Sequence, residues 1–237
     1  MSFLLPNIFT TLNLFCGFYA IICVIHGLYK QAALLIFASM FFDIFDGKIA
    51  RLTKNTSPFG VEYGSLSDLV SFGIAPSLLI YNTYLYEFGK IGWLTSFLFT
   101  ACVALRLARF NIKPHSSLHN FEGLPSPAAG VFIAATVLFF QENNISIKWP
   151  LIVLLFALSY LMISSISYPS FKTFNIKKTQ IFFYLVLFTL FLIIFFLKPI
   201  FFSFLILSFY IFCLPLLLFL KSNLIERKQL SKKIDKI

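Results

Sequence analysis

Charge is what this sequence has least of. Only 12% of its 237 residues are charged, and 9 are acidic. A water-soluble domain normally carries about 25% charged residues, so this chain lacks the means to cover a water-facing surface. Cysteine is scarce too: Cys16, Cys23, Cys102 and Cys213 each lie inside an apolar run without paired spacing. That excludes a disulfide framework or a zinc site and leaves buried thiols. Of the 3 histidines, His115 and His119 stand at i, i+4 but share a polar loop that offers no third metal ligand, and His26 belongs at a membrane interface. An internal repeat is missing, as is a linker long enough to separate a second domain. The amino terminus has neither a basic stretch nor a small-residue cleavage site, so the first apolar helix is expected to stay in the mature protein.

Apolar residues fill the space that charge leaves. They make up 59% of the chain, with 33 phenylalanines and a mean hydropathy of +0.89. Lipid must be the solvent for most of this surface. A membrane-spanning helix needs roughly 20 mostly apolar residues, and about eight segments qualify. They run near residues 8–27, 31–50, 65–84, 91–108, 125–140, 149–165, 180–197 and 201–220. The expected fold is therefore all-α and polytopic, with residues 1–220 as one transmembrane domain and 221–237 as a basic tail. Pro6, Pro125, Pro150 and Pro199 stand near helix starts, where a missing N–H is harmless. Pro215 should kink the last span.

The net charge of +10 could suggest nucleic acid, but loop asymmetry accounts for it. Of the 19 basic residues, only Lys30, Lys90, Lys148 and Lys198 fall on the side opposite the termini. By the positive-inside rule both termini and the richer loops are cytoplasmic. The tail from Lys221 to Lys236 then lies along anionic headgroups, each charge adding up to about 1 kcal/mol of attraction.

Against this apolar background the second span carries Asp43, Asp46, Gly47 and Ala50 at i, i+3, i+4 and i+7, on one helical face. A charged group at a helix centre costs about 2.5–3.5 kcal/mol on insertion scales, so a pair should line a polar cavity held by cations. The competing explanation is snorkelling interfacial acids. Two acids one turn apart, without nearby His or Cys, make an all-oxygen site suited to Mg²⁺ or Mn²⁺, ions that usually coordinate phosphates as well. Gly47 lets a large headgroup approach the helix, and Arg51 offers a fork of donors for phosphate oxygens. Asp68 is expected at the head of the third span, where the helix dipole supports its charge.

The stretch from Asp43 to Asp68 resembles the signature of the CDP-alcohol phosphatidyltransferases: Asp-x-x-Asp-Gly-x-x-Ala-Arg, eight residues, Gly-x-x-x-Asp-x-x-x-Asp. Asp43, Asp46, Gly47, Ala50, Arg51, Gly60 and Asp68 match in type and spacing. Further segments are similar to one branch, the bacterial CDP-diacylglycerol serine O-phosphatidyltransferases. These are Leu5-Pro6-Asn7 with Thr10, Asn13 and Gly17, the run from Ser71 to Pro76, the run from Leu105 to Asn111, the run from Gly123 to Ala129, and the run from Tyr168 to Lys172. The likeness covers residues 5–172. One position departs: the family's third aspartate falls at 64, where this chain has Gly64. Glu62 is the nearest acid, but two residues along a helix turn it by about 200°, away from Asp68.

The resemblance implies an enzyme that moves the phosphatidyl group of CDP-diacylglycerol to the hydroxyl of L-serine, releasing CMP. It implies two divalent ions, Mg²⁺ or Mn²⁺, held by Asp43, Asp46, position 64 and Asp68, with Asp68 as general base. Asn7, Thr10, Gly47, Arg51 and Ser57 would contact the cytidine and phosphates, and a homodimer in the bacterial inner membrane is implied. A serine carboxylate calls for a cation, so Arg106, Arg109 and Lys172 are candidates, each with membrane-face anchoring as its other role. Competing expectations are another acceptor, glycerol 3-phosphate or an inositol phosphate, and a non-catalytic CDP-lipid-binding membrane protein that Gly64 would explain.

Overall fold

The computed structural model describes residues 4–52, 57–112, 120–145, 147–164, 167–169 and 199–213. Its elements are helices α1 (Leu4–Ile25), α2 (Tyr29–Leu52), α3 (Pro58–Asp68), α4 (Ala75–Ile80), α5 (Lys90–Ile112), α6 (Ser126–Glu142), α7 (Trp149–Ile163) and α8 (Pro199–Ser208). The all-helical expectation needs one amendment. Strand β1 (Asn120–Glu122) pairs antiparallel with β2 (Ser167–Pro169), Phe121 opposite Tyr168, and so ties the chain before α6 to the chain after α7.

The third expected span begins earlier than its apolar run. The Ser57 hydroxyl accepts from the Gly60 N–H at 3.0 Å and Pro58 opens the first turn, two start signals acting together. Asp68 consequently lies about three turns inside a helix and not at its head, which overturns the helix-dipole support expected for it. Helical backbone continues without a break from Pro58 to Phe88, but π-helical turns interrupt it at Leu69–Ile74 and Tyr81–Leu85. In the first of these the Ala75 N–H reaches back to the Val70 carbonyl. Pro76, which has no N–H to continue the regular ladder, follows at once.

Two close approaches pack this π turn from both sides. A Cβ on Gly17 of α1 would stand 2.7 Å from Ser71 Cα, and one on Gly130 of α6 would stand 2.9 Å from Phe72 Cα. Only glycine fits at either crossing. Phe72 is fully buried between them, alongside Phe99, Phe132, Ile36 and Leu79. The central helix is α6, buried on every side from Ala128 to Leu138, as expected of a helix that is apolar all round. Phe132 and Phe139 stack on Phe204 of α8 at centroid distances of 5.5 and 4.7 Å. The peripheral helices turn apolar residues outward, Phe18 at 57% and Tyr160 at 71% exposure, the signature of surfaces that face lipid.

Among the described residues, three helices are both long and apolar enough to cross a membrane: Pro6–Ile25, Pro58–Phe88 and Lys90–Ile112. Helices α6 and α7 and the run Ser203–Phe212 are apolar but shorter. Helix α2, with 24 residues, has the length and loses the apolarity, because Asp43, Asp46, Lys48 and Arg51 occupy its second half. The expected seventh span, the basic tail and Pro215 lie outside the described residues.

Successive helical runs, with α3 and α4 counted as parts of one, alternate in direction and so define two ends. At one, α1 starts, α2 stops, α5 stops and α6 starts, joined through Thr10, Asp46, Arg106 and Ser126. At the other, the Phe88 and Trp149 rings meet at 4.8 Å and Lys148 pairs with Glu87.

Candidate functional site

Helix α1 is the scaffold of the polar end. Thr10 and Asn13, at i and i+3, share the face that meets α2 and α3. Thr10 Oγ1 donates to Asp46 Oδ2 at 2.9 Å and is also 3.1 Å from its own-turn carbonyl, Pro6 O. Asn13 Nδ2 donates to Asp68 Oδ1 at 3.0 Å. Serine hydroxyls lock the crossings: Ser67 onto Thr10 O at 3.1 Å, and Ser71 and Ser39 onto Asn13 O at 2.9 and 3.3 Å. Such hydrogen bonds in a dry interior hold helices in register.

Asp43 and Asp46 from α2 and Asp68 from α3 face one crevice, close enough for each to feel the others' charge. The Arg106 guanidinium of α5 is within electrostatic range of both Asp68 and Asp43. Its Nη1 donates to Ser126 Oγ on the first turn of α6 at 3.0 Å, and its Nε is buried without a partner among the described residues. Carboxylate oxygens beside the Arg106 and Arg51 guanidinium groups have the chemistry to attract a hard divalent cation and to orient an anion, with further oxygens needed from phosphate or water to complete a cation's shell. Among the described residues no three Asp, Glu, His or Cys side chains are grouped so that they alone could hold a metal ion.

The outer rim holds other expected residues. Arg51 folds back over Gly47, its Nη1 3.6 Å from where a Gly47 Cβ would be. Asn7 Oδ1 stands 3.8 Å and Ser57 Oγ 3.2 Å from the equivalent point on Gly60, so Asn7, Ser57 and Gly60 form one cluster at the mouth. Gly64 is half-buried, and a Cβ added there would meet nothing within 4 Å. Glu62 does turn away from the carboxylates: its Oε2 accepts from Asn111 Nδ2 at 3.0 Å. Asn111 Oδ1 in turn accepts from Ser65 at 3.0 Å, fastening the end of α5 to α3. Arg109 donates from Nη1 to Ile163 O at 2.9 Å, at the carboxyl end of α7, where a cation satisfies a free carbonyl. Lys172 lies outside the described residues.

Two residues near the site were not legible in the sequence. Ser126, the partner of Arg106, was seen only as part of a matching segment. Tyr210, within electrostatic range of Arg106, comes from the turn that follows α8 and carried no signal.

Residues 3–166 match the CDP-alcohol phosphatidyltransferase family, a stretch that contains α1 to α7 and every carboxylate of the crevice. A CDP-diacylglycerol–serine O-phosphatidyltransferase of Helicobacter pylori is 41% identical over 204 residues, covering 83% of this chain and 83% of its own. One from Bacillus subtilis is 40% identical over 168 residues, 71% of this chain and 91% of its own. An archaetidylserine synthase of Methanothermobacter thermautotrophicus is 38% identical over 167 residues, 70% and 69% of the two chains. With that family match over most of its length and relatives of this identity and coverage, the chain belongs to the CDP-alcohol phosphatidyltransferase family.

Proposed function

We propose that this membrane protein transfers the phosphatidyl group of CDP-diacylglycerol to the hydroxyl of L-serine, giving phosphatidylserine and CMP. The observation that carries this is the meeting of Asp43, Asp46, Asp68 and Arg106 in one crevice of a chain whose relatives are named for that reaction. Asp43, Asp46 and Asp68 would hold a divalent ion, Mg²⁺ or Mn²⁺. Their donor set fits one hard cation that completes its shell with phosphate oxygens and water. The second ion of the family's scheme lacks the side chain that Gly64 omits. A bound ion neutralises charge on the transferring and leaving oxygens.

The remaining steps belong to the chain's own groups. Asp68, fixed by Asn13, accepts the proton of the serine hydroxyl as that oxygen attacks the phosphorus bearing diacylglycerol. Asn7, Ser57, Gly47 and Arg51 receive the cytidine and phosphates at the mouth, and Thr10 holds Asp46 in place. Arg106 pairs with the serine carboxylate through its unpaired edge, while Arg109 and Lys172 add positive potential at the rim. The site faces the cytoplasm of a bacterial inner membrane in an eight-span homodimer with both termini inside. The sorting of basic residues and the alternation of helices between two ends support this orientation.

The test is CMP release by the purified protein in lipid–detergent micelles, with CDP-diacylglycerol, Mn²⁺ or Mg²⁺, and L-serine. Release that depends on serine is expected. Release with glycerol 3-phosphate or an inositol phosphate in place of serine would reassign the acceptor, and binding of CDP-diacylglycerol without release would leave a CDP-lipid-binding protein.

A further inference from the structure

Asn13 is fully buried, and its backbone is held from two sides, by Ser71 of the π turn and by Ser39 of α2. Gly17, one turn further on the same face, allows α1 to lie against Ser71. The residue is therefore fixed before its side chain does anything. Its amide then makes one hydrogen bond, from Nδ2 to Asp68 Oδ1 at 3.0 Å. Its Oδ1 is buried and has no partner among the described residues.

A half-satisfied buried amide is a poor way to stabilise a helix crossing. An apolar side chain of similar volume would fill the same space without stranding an acceptor. What the amide alone supplies is a donor aimed at one oxygen of Asp68. Asp68 needs such an anchor, because the backbone immediately after it leaves the regular helical ladder in the π turn Leu69–Ile74.

We infer that Asn13 is a positioning residue for Asp68: it pins one carboxylate oxygen and leaves the other aimed into the crevice for the acceptor's proton. Its place in catalysis rests on the serine transfer proposed above, while its hold on Asp68 does not.

The test uses the full chain and the substitutions Asn13→Leu, which keeps the amide's branching and number of heavy atoms, and Asn13→Ser, which is small enough to fold without new packing. Melting temperature, KM for CDP-diacylglycerol, kcat for CMP release and Mn²⁺ affinity by electron paramagnetic resonance are compared with the parent. Asn13→Leu is expected to melt at or above the parent temperature and to keep KM within about twofold. Its kcat should fall by about 10- to 100-fold, the usual effect of a displaced catalytic group. Mn²⁺ binding should weaken by about 10-fold, as when a partner of a ligating carboxylate is removed. Asn13→Ser should lose kcat and Mn²⁺ affinity in the same way. Folded variants with parental kcat and parental Mn²⁺ affinity would overturn the inference, as would melting, KM and kcat all declining together in both. A parent that binds Mn²⁺ but forms no product with serine would remove the proposed acceptor, and the Mn²⁺ comparison would still decide the case for Asn13.

Discussion

Replacing Gly64 by aspartate should convert the site from three carboxylates to four. Position 64 precedes Asp68 by one turn of α3, and a Cβ built there meets nothing within 4 Å, so the new side chain enters open space. The backbone gains too: aspartate is a better helix residue than glycine by about 0.3 kcal/mol. Electrostatics decides the rest. A carboxylate about 4 Å from a divalent ion gains about 8 kcal/mol at an effective dielectric near 20. Repulsion from Asp43, Asp46 and Asp68 offsets part of that, leaving about 1.5–3 kcal/mol, or about 10- to 100-fold in half-saturating Mn²⁺. Without metal the sign reverses, because a fourth carboxylate joins three others, and Arg106 and Arg51 already answer those. The variant should melt lower than the parent in chelator and higher in saturating Mn²⁺. CMP release across a Mn²⁺ titration, paired with melting curves with and without metal, measures both effects. Identical metal dependence and identical turnover would refute the reasoning, since water or a substrate oxygen would then already serve position 64. No release from either form would favour a protein that binds CDP-lipid without turning it over.

Further outcomes are expected elsewhere. Asp68→Asn should abolish CMP release while CDP-diacylglycerol still binds, read by turnover and by ligand-induced stabilisation; parental turnover would remove Asp68 as the base. Gly17→Ala forces a Cβ to within 2.7 Å of Ser71 Cα, and should lower stability by about 1–3 kcal/mol, seen as a lower melting temperature in detergent; an unchanged melting curve would mean that α1 and the π turn separate freely. Single cysteines at positions 54 and 113 should be protected from an impermeant thiol reagent in intact cells and one at position 89 labelled. External labelling at 113 would reverse the proposed orientation.

Run length and punctuation were enough to read α1, α2, α5, α6 and α7, because a lipid-facing helix has few alternatives for its backbone polar groups. The start of the third span was misread for a physical reason. Hydropathy rises only after Ser65, whereas Ser57 and Pro58 had already begun the helix through capping chemistry that hydropathy does not register. Placing Asp68 at a helix head followed from that error. The carboxylates on α2 were legible because i, i+3 spacing is local. Asn13 was visible as a residue without a task, since its task exists only once α1 and α3 cross. Arg109 was a candidate for anion binding, and the structure gives it the terminal carbonyl of α7. Tyr210 lay beyond recognition, as nothing along the chain says which residue of an apolar run will end beside Arg106.

The short turn between α1 and α2 bears on how the protein is made. Only His26, Gly27 and Leu28 separate the two helices, and α2 alone is a weak candidate for entering a bilayer because of its acids. Emerging from the ribosome, α1 comes first and already carries the Thr10 hydroxyl that will receive Asp46 and the Asn13 amide that will receive Asp68. The unit that partitions into lipid is then the hairpin, with α1 as an escort whose polar groups are useless to it until the later helices arrive. Substitutions at Thr10 or Asn13 would therefore be felt twice, once in turnover and once in the yield of correctly inserted protein.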